Sequence, residues 1–146
     1  MYDSIVMKSN ILKKNKVFAI YFPPGYESSQ IRYPVLFLLH GGDGSQVDWI
    51  KRGNVKQTAD SLIGKGIVVP MIIVMPDAEM TFYLNNAKGK YQFEDYFFQE
   101  LIPYIEKNYR CRTEKNTGQF QVCPWEVLEV YCMHFITRNF SIHVMP

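Results

Sequence analysis

Two short apolar runs without polar interruptions predict buried strands in the first half of the chain. Residues 35–39 read Val-Leu-Phe-Leu-Leu, and residues 71–75 read Met-Ile-Ile-Val-Met. A run that does not alternate with polar residues suits a parallel strand covered on both faces. Two earlier segments rich in Val, Ile, Phe and Tyr, residues 4–8 and 16–22, predict an antiparallel hairpin ahead of these strands.

Helical spacing of apolar residues predicts one helix between the two runs and one after them. The first helix covers residues 55–65, and the second covers residues 93–108 with acidic residues on its outer face. Pro103 should kink the second helix or begin a new segment of it. The polar residues 78–92 predict a loop over the strand ends. Strand, helix, strand is the repeating unit of a parallel sheet, so the pattern indicates an α/β fold.

A glycine cluster directly after the first apolar run marks the candidate site. Residues 40–44 read His-Gly-Gly-Asp-Gly, and glycines allow the backbone and a ligand to approach closely. Ligands of open α/β sheets bind beyond the carboxyl ends of the strands. Asp48 and Trp49 follow in a predicted loop, and Asp77 ends the second run. An Asp at such a place often bonds its own loop, and Trp49 is equally well explained as a loop plug.

Composition favours a single domain and argues against several classes of partner and cofactor. The chain has 146 residues and a net charge of +2 with the charges scattered, which favours one domain and gives no footprint for nucleic acid or for an anionic membrane. Its three cysteines lack zinc or disulfide spacing, and no metal or cofactor is expected. No apolar segment reaches membrane-spanning length, and no signal peptide is visible, so a cytoplasmic location is the default expectation.

The resemblance to a known family rests on five segments in order: Tyr-Phe-Pro-Pro-Gly-Tyr (21–26), Arg-Tyr-Pro-Val-Leu-Phe-Leu-Leu-His-Gly-Gly (32–42), Asp-Trp (48–49), Val-Met-Pro-Asp (74–77) and Phe-Phe-Gln-Glu-Leu-Ile-Pro-Tyr-Ile-Glu (97–106). Together they resemble the N-terminal half of the esterase D-like α/β-hydrolases, which include feruloyl esterases, acetyl xylan esterases and S-formylglutathione hydrolases. The resemblance implies an incomplete α/β-hydrolase fold, a mixed sheet with an N-terminal antiparallel hairpin, then parallel strands and flanking helices.

The same resemblance implies a serine esterase that acts on a small-molecule or carbohydrate-linked ester. The N–H of Gly41 or Gly42 would then serve the oxyanion hole, although such glycines can also simply make a turn. Asp48, Trp49 and Asp77 become candidates for the substrate pocket. His40 is rejected as the general base because the catalytic histidine of this fold comes last in chain order, and it is interpreted as a packed, loop-bracing residue.

The nucleophile motif of that family, Gly-x-Ser-x-Gly, does not occur in the 146 residues. With free choice of synonymous third bases, however, the codons of residues 121–127 spell Gly-Leu-Ser-Met-Gly-Gly when read one base earlier. Residues 1–115 are therefore interpreted as a partial esterase domain and residues 116–146 as an out-of-frame tail without a domain of its own. Alternation at residues 119–122 still permits a strand.

Three functions remain open from the sequence. The first is an esterase-family chain that is inactive alone because the nucleophile, acid and base are missing. The second is a small non-catalytic α/β binding or interaction module that uses the glycine loop as a ligand cradle. A third, in which Cys123 replaces the serine, has little support because Pro124 follows it and no glycines flank it.

Overall fold

The computed structural model describes residues 1–81, 83–112, 118–122 and 141–142, and their strands form one mixed sheet in the order β1-β2-β4-β3-β5-β6. The strands are β1 (Tyr2–Ser9), β2 (Lys14–Tyr21), β3 (Val35–Leu39), β4 (Ile72–Pro76), β5 (Gly118–Val122) and β6 (Ser141–Ile142). The helices are α1 (Asp48–Lys51), α2 (Val55–Gly64), α3 (Phe93–Tyr96) and α4 (Ile102–Asn108), with a π-helical turn at Phe97–Leu101.

The order and directions of the strands confirm the predicted α/β fold with a mixed sheet. Strands β1 and β2 form the antiparallel hairpin, and β2 continues antiparallel onto β4. Strand β3 lies parallel to β4 on one side and to β5 on the other. Four of the five residues of β3 are buried, as expected for an apolar run covered on both faces.

Helices cover both faces of the sheet. On one face, Val55 and Ala59 of α2 pack against a cluster that includes Leu38 of β3. The opposite face carries α3, the π-helical turn and α4, whose Leu101 and Ile105 are completely buried in the larger core. Successive side chains of a strand point to opposite faces of the sheet, so the same strands contribute residues to both cores.

Pro103 begins a new helical segment, which confirms one of the two predicted effects of this residue. The Ile102 N–H bonds to the Phe97 carbonyl five residues earlier, which is the π-helical spacing, and α4 starts with Pro103 in its first turn. Proline lacks an N–H, so it fits best where a helix begins.

Two local predictions were wrong. Asp48 and Trp49 begin the short helix α1 rather than lying in an irregular loop, and the acidic Asp48 suits the positive end of a helix dipole. The second strand is also shifted from the predicted residues 16–22, because β2 already begins at Lys14 and ends at Tyr21.

A side chain distant in sequence closes this hairpin. Glu100, in the π-helical turn, accepts hydrogen bonds from the Ser9 hydroxyl and from the backbone N–H groups of Asn10 and Ile11. These donors lie at the turn that follows β1, where backbone groups lack partners on a neighbouring strand. The turn is therefore completed by an element about ninety residues later.

Strand β5 (Gly118–Val122) lies inside the predicted tail and includes residues 119–122, where alternation permitted a strand. The interpretation of residues 116–146 as an out-of-frame tail stays a prediction, and Cys123 lies outside the described residues. Within the described part of the chain, no helix is long and apolar enough to span a bilayer.

Candidate active site

The carboxyl ends of β3, β4 and β5 meet at one edge of the sheet. Phe37 of β3 pairs with Val74 of β4, and Leu39 pairs with Val122, the last residue of β5. The segments that follow these strands therefore start side by side. The candidate site residues of the glycine cluster and Asp77 share this edge, as the strand order requires.

The glycine cluster forms a tight turn after β3. The Gly44 N–H donates to the Gly41 carbonyl at 2.9 Å, and neither central residue, Gly42 or Asp43, has a positive φ, which is the pattern of a type I turn. Among the described residues, no acceptor receives the N–H of Gly41 or of Gly42. Both residues are half-buried, and no described residue occupies these two donors.

Gly44 is held in place by close packing rather than by its backbone angles. A Cβ atom at this position would lie 2.8 Å from Asp48 Oδ2 and 2.9 Å from His40 Nδ1. Contacts this short do not occur between real side chains, so the turn packs against His40 and Asp48 only because residue 44 lacks a side chain.

Replacing Gly44 by alanine is expected to lower the free energy of unfolding by about 1–3 kcal/mol, since the added methyl group forces His40 or Asp48 to move. Gly64→Ala is the matched control, because a Cβ there meets no atom within 4 Å and should stabilise the end of α2 by up to about 1 kcal/mol. Urea unfolding followed by circular dichroism measures both. Equal stability of the two variants would contradict the close packing of Gly44.

His40 is buried and every polar atom of its ring has a partner. Its Nδ1 lies 2.7 Å from the Gly41 carbonyl oxygen, and its Nε2 accepts the Ala78 N–H at 3.0 Å. The nearest carboxylate oxygen is Asp77 Oδ1, 3.6 Å from Nε2. The backbone N–H of His40 donates to the Tyr83 hydroxyl at 3.1 Å. These contacts agree with a packed histidine that braces two loops, and they leave no ring nitrogen for a substrate.

Asp48 and Trp49 are both tied to the segment that follows β3. The Ser45 hydroxyl donates to Asp48 Oδ1 at 3.3 Å, and Trp49 Nε1 donates to the carbonyl of Leu39 at 2.9 Å. The Trp49 ring also packs over Gly53. The geometry is that of a loop plug, and a role of either residue in the substrate pocket stays a prediction.

Asp77 belongs to a strand-end charge cluster formed with Lys14, Lys16 and Glu79. Asp77 Oδ1 accepts the Glu79 N–H at 2.8 Å, the local loop contact expected for an Asp after a strand. The Lys16 ammonium lies 2.7 Å from Glu79 Oε1 and 3.9 Å from Asp77 Oδ2, and Lys14 reaches Glu79 at the surface. Lys16 is 1% exposed, so these carboxylates replace the water that its ammonium group loses on burial.

The cluster keeps both carboxyl groups ionised. Asp77 accepts the Glu79 N–H and faces the charge of Lys16, and both contacts favour its ionised form. Burial would by itself raise the pKa of Glu79, but hydrogen bonds from Lys14 and Lys16 lower it. At neutral pH both carboxyl groups of the cluster are therefore charged.

Lys16 and Tyr83 were missed as site residues from the sequence. Lys16 lies on the same face of β2 as the buried Phe18 and Ile20. The alternation of faces along a strand could therefore have indicated that Lys16 is buried. Tyr83 has a φ of +57° and donates its hydroxyl to the Pro76 carbonyl at 3.2 Å while it accepts the His40 N–H. Its loop has no periodicity, so nothing in the sequence indicated that it joins the ends of β3 and β4.

An open cleft of about 530 Å³ lies along the loop after β4. It is lined by Glu79, Met80, Thr81, Leu84, Asn85, Asn86 and Tyr91. The strand-end charge cluster fixes one wall, because Glu79 is bound by both lysines. Among the described residues, no group of three His, Cys, Asp or Glu side chains is arranged to hold a metal ion.

A family model and several known proteins match this chain. The Esterase family model matches residues 9–119. The chain is 34% identical over 103 residues to an endo-1,4-beta-xylanase/feruloyl esterase of Xylanibacter ruminicola, and the match covers 66% of this chain and 14% of that protein. The chain thus spans a small part of the length of this relative.

Solved structures of esterases share the fold. A ferulic acid esterase superposes with a TM-score of 0.76 and 30% identity over 82% of this chain and 49% of its own. An S-formylglutathione hydrolase of Agrobacterium tumefaciens superposes with a TM-score of 0.73 at 19% identity, over 99% of this chain and 58% of its own. The chain spans about half of each of these structures.

Proposed function

The chain belongs to the Esterase family, and we propose that it carries the oxyanion-stabilising half of a carboxylic-ester-hydrolysing site, with the N–H groups of Gly41 and Gly42 as donors. The observation that carries this proposal is that Gly41 and Gly42, two half-buried residues after β3, have N–H groups that no described residue accepts. They lie beside the end of β5, at the edge of the sheet where α/β enzymes bind substrates.

The chemistry follows from the charge that develops during ester hydrolysis. Attack on the ester carbonyl places negative charge on its oxygen, and preorganised N–H donors stabilise that charge without reorganisation. One such donor is worth about 3 kcal/mol of barrier, or a factor of roughly 10²–10³ in rate. A glycine turn keeps side chains away from the approaching substrate.

The proposal includes a missing nucleophile. The 146 residues contain no Gly-x-Ser-x-Gly, and in this fold that motif follows a strand directly. In the neighbouring reading frame its serine falls at residues 123–124, immediately after β5, whose last residue pairs with Leu39. This agreement of position supports a frameshift near residues 114–116. Sequencing the encoding DNA tests it, because codons 121–127 must spell the motif in that frame.

The substrate class is proposed from the relatives. The Xylanibacter ruminicola relative is named a feruloyl esterase, and the solved structure with 30% identity is named a ferulic acid esterase. We therefore propose a small-molecule or carbohydrate-linked carboxylic ester as the substrate of the complete site. Asp48, Trp49 and Asp77 are the proposed pocket residues near the glycine turn.

The purified chain alone is expected to hydrolyse aryl acetates and feruloyl esters no faster than a buffer control without protein, because nucleophile, acid and base are missing. Release of the aryl alcohol or of ferulate is the measurement. Turnover clearly above that control would contradict the proposed inactivity.

The donor role is tested in a chimera that joins residues 1–115 to the C-terminal half of the Xylanibacter ruminicola feruloyl esterase domain. Gly42→Pro removes the N–H at a turn position that proline tolerates, whereas Gly42→Ala keeps it. The proline variant should lose about 10²–10³ in kcat relative to the alanine variant. Equal rates in two folded variants would exclude Gly42 as a donor.

A further inference from the structure

The Gly41 carbonyl has two hydrogen-bonding partners. His40 Nδ1 lies 2.7 Å from this oxygen, and the Gly44 N–H donates to it at 2.9 Å. The Gly41 carbonyl and the Gly42 N–H belong to one peptide unit, which is planar and trans. Fixing the direction of the carbonyl therefore fixes the opposite direction of the Gly42 N–H.

The tautomer of His40 is determined by its other nitrogen. Nε2 accepts the Ala78 N–H at 3.0 Å and so carries no proton, and Asp77 Oδ1, 3.6 Å away, is beyond hydrogen-bond distance from it. The ring proton of the neutral imidazole is then on Nδ1, where it is donated to the Gly41 carbonyl. The Ala78 N–H, in the loop after β4, thus favours the tautomer that donates a hydrogen bond to the Gly41 carbonyl, in the loop after β3.

We propose that His40 is a positioning residue that aims and polarises the Gly42 N–H through the Gly41 carbonyl; this inference rests on the proposed oxyanion role of Gly42. A carbonyl that accepts two bonds withdraws electrons from its own peptide nitrogen, so the N–H becomes a stronger donor. Because His40 is 5% exposed and anchored at both nitrogens, the peptide has one fixed orientation before a substrate arrives.

Two amide variants separate this role from simple packing. In His40→Asn the side-chain nitrogen takes the place of Nδ1 and keeps the donor to Gly41, but the bond from Ala78 is lost. In His40→Gln the side-chain oxygen reaches the depth of Nε2 and keeps the acceptor for Ala78, but the donor to Gly41 is lost. A brace that only packs the two loops predicts no such difference at the Gly41–Gly42 peptide.

The measurement is NMR of the purified 146-residue chain. In the wild type, the ring nitrogens of His40 should show a protonated Nδ1 and a bare Nε2. The carbonyl carbon of Gly41 and the amide of Gly42 should keep wild-type shifts in His40→Asn and move in His40→Gln, toward the values of a carbonyl with one bond fewer. The Ala78 amide should show the reverse pattern.

Two results would overturn the inference. One is an Nδ1 without a proton in the wild type, which needs no variant to fold. The other is a Gly41–Gly42 peptide whose shifts follow the Ala78 bond instead of the Gly41 bond. Neither result depends on catalysis, so the outcome is distinguishable from that of the Gly42→Pro chimera.

Discussion

Replacing Phe97 by alanine is expected to lower the free energy of unfolding by about 4 kcal/mol, because a fully packed aromatic side chain is lost from the main core. Phe97 is 3% exposed and its ring contacts Phe37 of β3 at a centroid distance of 5.2 Å and Tyr83 at 6.5 Å. It therefore joins the π-helical turn, the central strand and the loop that holds His40. Urea unfolding measures the loss.

Phe98→Ala is the matched control for this variant. Phe98 is the next residue along the same turn, but its side chain is only partly buried at the edge of the core. Its removal should cost less than half as much, because less apolar surface returns to water. A larger loss for Phe98 than for Phe97 would contradict the packing described for this face.

Replacing Glu79 by glutamine is expected to cost about 2 kcal/mol, because it leaves the buried ammonium of Lys16 without its close carboxylate. The remaining carboxylate, Asp77 Oδ2, is 3.9 Å away, and the Phe93 ring lies 4.7 Å from the ammonium. Glu79 is itself 40% exposed, so the loss should fall below that of a fully buried pair.

A double-mutant cycle with Lys16→Met identifies the source of that loss. In the Lys16→Met background, Glu79→Gln should cost less than about 0.5 kcal/mol, since only the exposed contact with Lys14 is affected. The pH dependence gives a second check. The folded-state pKa of Glu79 is lowered from 4.5, so its contribution is present above that value and is lost as the pH falls through the folded pKa. Glu79→Gln should therefore lose less stability on acidification; equal losses in both proteins would contradict the linkage.

The sheet was the most predictable part of the fold because a strand buried on two faces requires a continuous run of apolar residues. The bounds of β3 agree with the predicted residues 35–39, and β4 differs by one residue at each end from the predicted 71–75. Helix α1 was missed because four residues are too few for a helical period to be visible.

The candidate site was only half predictable. Glycines after a buried strand indicate a strand-end turn, so the sequence led directly to Gly41 and Gly42. Lys16 was missed because a lysine in a strand suggests a solvated position, whereas partners more than sixty residues away make its burial possible. The tautomer of His40 depends on Ala78, 38 residues later, and pairing at that separation leaves no local pattern.

The contact between Glu100 and the hairpin turn has a consequence for synthesis of the chain. The first two strands leave the ribosome early, but the acceptor for the turn at Ser9 and Asn10 is made about ninety residues later. Contacts of such sequence separation form late and slow folding. The turn of the nascent hairpin therefore lacks its acceptor until the π-helical turn with Glu100 has been synthesised. During this interval the edges of the hairpin are most exposed to pairing with another chain.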